Sequence, residues 1–144
     1  MKSQISDASF IMDAISPYIK VLWAIAVWRE ARGESLAAKL GVAYVIFNRA
    51  SAPGWWGTDL HSVILRPAQF SSFNHGDPNS SKFPSERDTT WEASLDAVEQ
   101  VLAGKPDPTL GATHYHDVSI APPEWTKELV ETVRIGAFVF YKAS

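Results

Sequence analysis

Two long apolar runs dominate the first third of the chain. Residues 21–28 carry no charged side chain, and residues 36–47 carry a single charge, at Lys39. A helix that is apolar on all sides is normally a buried helix. The pattern therefore predicts two core helices with a short turn between them.

Capping residues, glycines and prolines delimit the predicted helices. These helices are 7–15, stopped near Pro17; 18–32, ending at Gly33; 36–50; a short helix from Asp59 through Leu65; and 89–103, capped by Asp88 and closed by Gly104. Gly41 lies inside the third of them, where a missing side chain allows close contact with another helix.

The last third of the chain changes to a strand pattern. Residues 113–116 and 129–141 are rich in β-branched and aromatic residues, and Gly136 suits a hairpin turn or a bulge. Residues 66–87 are rich in Ser, Asn, Pro and Gly, and a loop of that length is usually functional or mobile. The fold class predicted is α+β, mainly α-helical, with a small C-terminal antiparallel β-sheet.

Composition limits the functional classes. A chain of 144 residues with 46% hydrophobic residues can form one domain with a real core. Its net charge of -3 and pI near 5.8 argue against a basic surface for nucleic acid. The chain contains no cysteine, which excludes disulfides and a thiol nucleophile.

Glu34 is the candidate catalytic acid, because it lies where the two apolar runs meet. Partial burial would favour the protonated carboxyl that cleavage of a glycosidic bond requires. The structural alternative is that Glu34, next to Ser35, only complements the dipole of the following helix. The sequence leaves open whether Arg29, Arg32 or Arg49 pairs with Glu34 or contacts substrate.

Five motifs in order resemble the SleB/CwlJ-type cell wall hydrolases of spore germination and their phage lysin relatives. The motifs are Arg-Glu-Ala-Arg-Gly-Glu-Ser at 29–35, Val-Ala-Tyr-Val-Ile-Phe-Asn-Arg at 42–49, Gln-Phe-Ser at 69–71, Gly-Ala-Thr-His-Tyr-His at 111–116, and a finish from Ile135-Gly136 to Phe140-Tyr141. Together they span most of the chain, which makes them more specific than any one motif. Ala137 and Phe138 stand where many relatives carry a histidine.

The resemblance implies a lysozyme-like or lytic-transglycosylase-like fold and one catalytic domain over 1–144. Within it, 1–17 would be a helical extension and 18–142 the SleB-like hydrolase core. The resemblance also implies cleavage of the MurNAc–GlcNAc bond of peptidoglycan, with Glu34 as general acid and base of a lytic transglycosylase that forms 1,6-anhydro ends.

A muramidase that hydrolyses the same bond is the alternative, and it needs a second carboxylate. No Asp or Glu lies between Ser35 and Thr58. The remaining candidates for the second carboxylate are Asp77, Glu86, Asp88 and Asp117.

Substrate contacts are predicted from the polar loop and from aromatic residues. Gln69 is expected to bind sugar acetamide groups, and Phe70 or Phe73 to offer a ring face, although Phe70 is favoured as a core anchor. Asn48 and Tyr115 are further candidates, with His114 as second choice to Tyr115. Trp125, together with Trp55 and Trp56, is expected to stack on sugars. Tyr115 and His114 would lie on opposite faces of a strand, so only one of them can point into a groove.

Two other classes are weighed against a glycosidase. In one, His114, His116 and Asp117, with His75 or His61, bind zinc for an amidase or peptidase. In the other, the chain is a non-catalytic module that binds glycan through its tryptophans. The glycosidase interpretation is favoured, with no cofactor and no metal.

The start of the chain lacks the features of a signal peptide, because Asp7, Asp13 and Lys20 interrupt its apolar character. We therefore expect synthesis in the cytoplasm without a leader, no stable membrane insertion, and action at the cell wall after release. This suits a phage or prophage endolysin that is a monomer, binds peptidoglycan glycan strands and depends on another factor, such as a holin, for access.

Overall fold

The computed structural model describes residues 15–52, 54, 56–66, 70, 74 and 76–144. Within these residues four α-helices precede a small sheet; they are α1 (Pro17–Ala31), α2 (Leu36–Ser51), α3 (Leu60–Leu65) and α4 (Thr89–Leu102). Single 3₁₀ turns lie at Pro78–Ser81 and Glu124–Glu128. Within the described residues, no helix has the length and apolar character needed to cross a bilayer.

Side-chain caps fix the start of each helix. Ser16 accepts a hydrogen bond from the backbone of Ile19 at α1, where Pro17 occupies the first turn. Ser35 caps α2, Asp88 caps α4, and Asp59 forms a capping box with Ser62 at α3. The predicted starts of α3 and α4 are therefore confirmed.

The strands β1 (His114–Asp117), β2 (Val130–Ile135) and β3 (Phe138–Lys142) form an antiparallel sheet in the order β1-β3-β2. Gly136 has a φ of +57° in the turn between β2 and β3, which confirms the predicted hairpin. The α+β prediction, mainly helical with a C-terminal antiparallel sheet, is confirmed.

The sheet packs on α2 through Gly41. A Cβ atom at Gly41 would lie 2.6 Å from the ring of Phe140, which is fully buried. The prediction that Gly41 serves a contact between helices is wrong, because its neighbour is strand β3. The close approach brings β1 and β3 against the helical core formed by α1, α2 and α4.

Predicted element bounds agree with the structure to within one or two residues for α1, α2, α4 and β1. The loop predicted over 66–87 contains the 3₁₀ turn Pro78–Ser81, which Asp77 caps. The helix predicted over 7–15 lies outside the described residues, apart from residue 15.

Candidate functional site

Glu30, in the last turn of α1, is a carboxyl group held against the core. Helical spacing puts it on the same face as Trp23, Ala26 and Val27, all of which are fully buried. The hydroxyl of Tyr115, on β1, donates a hydrogen bond to Glu30 Oε1. Burial raises the pKa of Glu30, and it outweighs the opposing effects of the Tyr115 hydroxyl and the Arg49 cation.

Arg49, in the last turn of α2, supplies the positive charge of this site. Its side chain is buried, and its Nε donates to the backbone carbonyl of Thr113 at 2.6 Å. The guanidinium lies 5.4 Å from the ring centroid of Phe70 and 5.8 Å from that of Trp56. Burial lowers the pKa of Arg49 to about 10, so it stays a cation at neutral pH beside Glu30.

Tyr115 joins the sheet to the acid. Its ring packs against Phe138 and Phe140, at centroid distances of 5.1 Å and 5.9 Å. Burial raises the pKa of Tyr115 well above its usual value, so the phenol remains a hydrogen-bond donor. Glu30, Arg49 and Tyr115 therefore combine an acid of raised pKa, a fixed cation and a neutral donor.

The loop that includes the Pro78–Ser81 turn lies against the same end of α1. Arg29 donates to the carbonyls of Ser80 and Lys82, while Arg32 Nη2 donates to Asn79 Oδ1 at 3.0 Å. The negative charge of Asp77 contributes to the raised pKa of Glu30. Arg29 and Arg32 thus hold this loop, and the charge of Asp77 acts on Arg29. Arg49 is the arginine whose charge acts on Glu30.

Glu34 has a different environment, in the turn between α1 and α2. Its Oε1 accepts from the backbone N–H of Ala137 at 3.2 Å, and a Cβ at Gly136 would lie 3.1 Å from the same oxygen. Lys39 Nζ donates to the carbonyls of Arg32 and Glu34. The Glu34 side chain therefore links the start of α2 to the β2–β3 hairpin.

Two of the predicted substrate contacts, Phe70 and Asn48, make structural contacts within the fold. Phe70 is only 1% exposed and packs under Arg49, so it offers no free ring face; the core-anchor alternative describes it correctly. Asn48 Nδ2 donates to Asp107 Oδ2 and to the carbonyl of Ala112, both at 2.9 Å. Those two bonds use both amide hydrogens of Asn48 to secure the segment that leads to β1.

The other predicted contacts divide between the two faces of the sheet. Tyr115 faces Glu30, and His114 faces outward into a pocket with Trp56 and Trp125, so the two residues lie on opposite faces as predicted. A role for Tyr115, His114 or Trp125 in substrate binding stays a prediction. Gln69, Phe73 and Trp55 lie outside the described residues.

The zinc alternative gains no support from the geometry. In the part of the chain that the structure describes, no three potential ligands among His, Asp and Glu come together. His116 instead shares a hydrogen bond of 3.0 Å with the Tyr141 hydroxyl and stacks on that ring. His75 lies outside the described residues.

The four carboxylates considered as a second catalytic group lie in different environments. Asp88 caps α4 and accepts from Trp28 Nε1, and Asp117 accepts from the backbone of Ser119. Glu86 is exposed. Asp77 is the member of this set whose charge acts on Glu30.

Glu30 is absent from the candidates named from sequence, although it belongs to the same motif as Glu34, whose catalytic role stays a prediction. The available signal was helical spacing. Glu30 follows Trp23, Ala26 and Val27 by seven, four and three residues, so it shares the face of an apolar helix that must be buried. A carboxyl on that face is the one more strongly desolvated.

Comparisons with known proteins agree on one family. The sequence profile described as Cell Wall Hydrolase matches residues 33–141, a span that includes Glu34 and begins just after Glu30. The spore cortex-lytic enzyme of Halalkalibacterium halodurans is 34% identical over 119 residues, covering 83% of this chain and 33% of the relative. That of Bacillus cereus is 30% identical over 121 residues, covering 84% of this chain and 43% of the relative.

Solved structures give the same result. The catalytic domain of the Bacillus cereus SleB protein superposes with a TM-score of 0.70 at 29% identity, covering 90% of this chain and 93% of that domain. The catalytic domain of the germination-specific lytic transglycosylase SleB from Bacillus anthracis gives 0.69 at 29% identity, covering 90% and 98%. The chain spans less than half the length of the curated relatives named above and nearly all of these catalytic domains.

Proposed function

The chain belongs to the Cell Wall Hydrolase family of the SleB/CwlJ type, and we propose from this membership and from the geometry around Glu30 that it cleaves the glycan of bacterial peptidoglycan. The bond proposed is the MurNAc–GlcNAc glycosidic bond. The reaction proposed is that of a lytic transglycosylase, the activity named for the similar Bacillus anthracis domain.

The observation that carries the proposal is the environment of the Glu30 carboxyl. Burial raises its pKa, so a larger fraction of it is protonated near neutral pH than of an ordinary glutamate. General acid catalysis requires a protonated group of this kind beside the leaving oxygen. We therefore assign the acid role to Glu30.

The reaction needs only this one carboxyl group. Glu30 donates its proton to the glycosidic oxygen as the bond to the anomeric carbon breaks. The 6-hydroxyl of the same muramic acid then attacks that carbon and returns its proton to Glu30, so the product has a 1,6-anhydro end and no water is consumed. While Glu30 is a carboxylate, the Arg49 cation and the Tyr115 hydroxyl stabilise its charge.

Glu34, the acid indicated by sequence, becomes the alternative in this proposal. The backbone N–H of Ala137 and the N-terminal end of α2 are groups that bind a carboxylate, and they suit a positioning role. Glu34 would then keep the β2–β3 hairpin against the helices near the site.

A muramidase route has one observation in its favour. Asp77 is close enough for its charge to raise the pKa of Glu30, so a second carboxylate is present near the acid. Hydrolysis would require Asp77 to direct a water or to bond to the anomeric carbon. The products distinguish the two routes.

Mass spectrometry of purified peptidoglycan digested by the wild-type chain tests the function. The proposal predicts anhydro-muramic ends that are absent after digestion with Glu30→Gln. Reducing muramic ends that disappear in Asp77→Asn would establish the muramidase route instead. Free peptides with intact glycan strands would contradict both routes and favour an amidase or peptidase.

The biological setting proposed is that of an endolysin from a phage or prophage. Access to the wall through a membrane opened by a holin and a monomeric state are parts of this proposal. Lysis of cells only when a holin is produced together with the chain would support it.

A further inference from the structure

A pocket of about 370 Å³ lies on the outer face of strand β1, between Trp56, which follows α2, and the 3₁₀ turn Glu124–Glu128. His114 forms its centre, between Trp56 at a centroid distance of 5.8 Å and Trp125 at 5.1 Å. Leu129 and Glu128 line its rim. Volumes of this size are within the range of small-molecule binding sites.

The aromatic walls of the pocket are fixed by contacts from behind. Trp56 Nε1 donates to the carbonyl of Arg49 at 2.8 Å, and the ring of Trp125 packs edge-on against Tyr141 at 5.3 Å. His114 Nδ1 shares a hydrogen bond of 2.9 Å with the hydroxyl of Thr113. The rings are thus held in place before any ligand arrives, which lowers the entropic cost of binding.

The lining of the pocket is mostly aromatic and apolar. Burial lowers the pKa of His114 to about 4, so its ring is uncharged at neutral pH. Glu128 lies at the rim, and the described lining includes no lysine or arginine. The buried Arg49 cation lies behind this wall beside Trp56, and its charge also lowers the pKa of His114. The apolar face of a sugar ring suits the aromatic walls.

The pocket adjoins the proposed acid through one residue. Arg49, whose charge acts on Glu30, bonds to the carbonyl of Thr113 in the pocket wall and lies beside Trp56. A ligand in the pocket would therefore lie across strand β1 from the reacting centre. This arrangement suits a distal part of the same polymer.

We propose that the pocket of Trp56, His114 and Trp125 is a subsite for a neutral N-acetylated hexosamine of the glycan strand, remote from the bond that is cleaved. This rests on the proposed function for the identity of the polymer. The two tryptophans hold the faces of the sugar ring and its acetamide methyl.

NMR titration of the isotope-labelled chain with triacetylchitotriose tests the subsite without requiring cleavage. The expected result is a shift of the indole N–H signals of Trp56 and Trp125 and of the His114 ring signals. Cellotriose, which lacks acetamides, should bind at least about tenfold more weakly, a difference of roughly 1.4 kcal/mol. The same titration with Glu30→Gln should give the same shifts.

Variants add a matched comparison. Trp125→Leu should weaken binding of triacetylchitotriose about tenfold, whereas Trp125→Phe should retain much of it. Tyr18→Leu removes another aromatic residue, 60% exposed on α1, and should change nothing. The wild-type shift map does not depend on whether Trp125→Leu folds.

Separate outcomes decide the subsite and the function. Shifts in the pocket without any cleavage of peptidoglycan would retain the subsite and overturn the proposed function. Cleavage without pocket shifts would overturn the subsite alone. Equal binding of cellotriose, or shifts confined to residues near Glu30, would also overturn the subsite.

Discussion

Glu30 and Glu34 are four residues apart in one motif, yet their surroundings differ completely. Glu30 lies on the buried face of α1, next to Arg49 of α2 and bonded to Tyr115 of the sheet. Glu34 lies in the following turn, where a backbone N–H of the β2–β3 hairpin donates to it. The same side chain is desolvated in one place and bound by main-chain groups in the other.

We propose that burial, and not position in a motif, decides which of the two carboxyls acts as the acid. Desolvation raises the pKa of Glu30, and nearby groups remain to stabilise its charged form after proton transfer. The contacts of Glu34 secure the junction between helix and hairpin. Each of the following variants alters one side of this comparison.

Replacing Arg49, the cation next to Glu30, should have the largest effect on turnover among the variants that leave both glutamates in place. Arg49→Gln removes the charge next to Glu30 and the bond from Nε to Thr113. We expect turnover to fall on the order of a hundredfold and the free energy of unfolding to fall by about 1.5–3 kcal/mol. Steady-state rates on peptidoglycan and urea denaturation measure the two effects.

Arg134→Gln is the control for this change, because Arg134 is an exposed arginine that pairs with Glu131 on β2. It should leave both quantities nearly unchanged. Wild-type turnover by folded Arg49→Gln would exclude Arg49 from the site.

Removing the Tyr115 hydroxyl group should shift the pH dependence of kcat/KM. The Tyr115 hydroxyl lowers the pKa of Glu30, so Tyr115→Phe should raise that pKa further. The protonated acid then persists to higher pH, and the alkaline limb of the kcat/KM profile moves upward. Turnover should fall about tenfold, since the carboxylate loses a donor. A limb that stays in place or moves to lower pH would contradict the assignment of Glu30.

A change on the Glu34 side should affect stability more than catalysis. Lys39 is 2% exposed and donates to the carbonyls of Arg32 and Glu34. Lys39→Met leaves those carbonyls without this donor and should reduce the free energy of unfolding by about 1–3 kcal/mol. The turnover of the folded fraction should change less than about threefold, because the carbonyls that Lys39 binds belong to Arg32 and Glu34 and not to Glu30.

The exposed Lys142→Met is the matched control, and it should be neutral in both assays. A hundredfold loss of kcat in Lys39→Met at full occupancy of the folded state would instead indicate that Glu34 performs the chemistry.

The fold could be predicted from sequence where local patterns decide it. Apolar runs and the caps Ser35, Asp59 and Asp88 determine the helices, and Gly136 determines the hairpin. The neighbour of Gly41 could not be predicted, because spacing shows that a close approach is needed but not which element supplies it.

The candidate site could not be predicted in the same way, because it is formed by contacts between residues that are far apart in the sequence. The bond from Tyr115 to Glu30 joins residues 85 positions apart, and it distinguishes the two glutamates of one motif. The partners of Asn48 could not be predicted for a similar reason, because Asp107 and Ala112 lie 59 and 64 positions away in sequence. Helical spacing indicated that Glu30 would be buried, but the donor that identifies it comes from the sheet.

Whether Glu30 or Glu34 is the acid can be decided by a parallel assay of Glu30→Gln and Glu34→Gln. Each variant replaces one carboxyl group by an amide of similar size, in neighbouring turns. We expect Glu30→Gln to lose roughly 10²–10⁴-fold in turnover on purified peptidoglycan while remaining folded. Glu34→Gln should stay within about tenfold of wild type at matched folded fraction. The reverse order, with Glu34→Gln inactive and Glu30→Gln active, would exclude Glu30 as the acid.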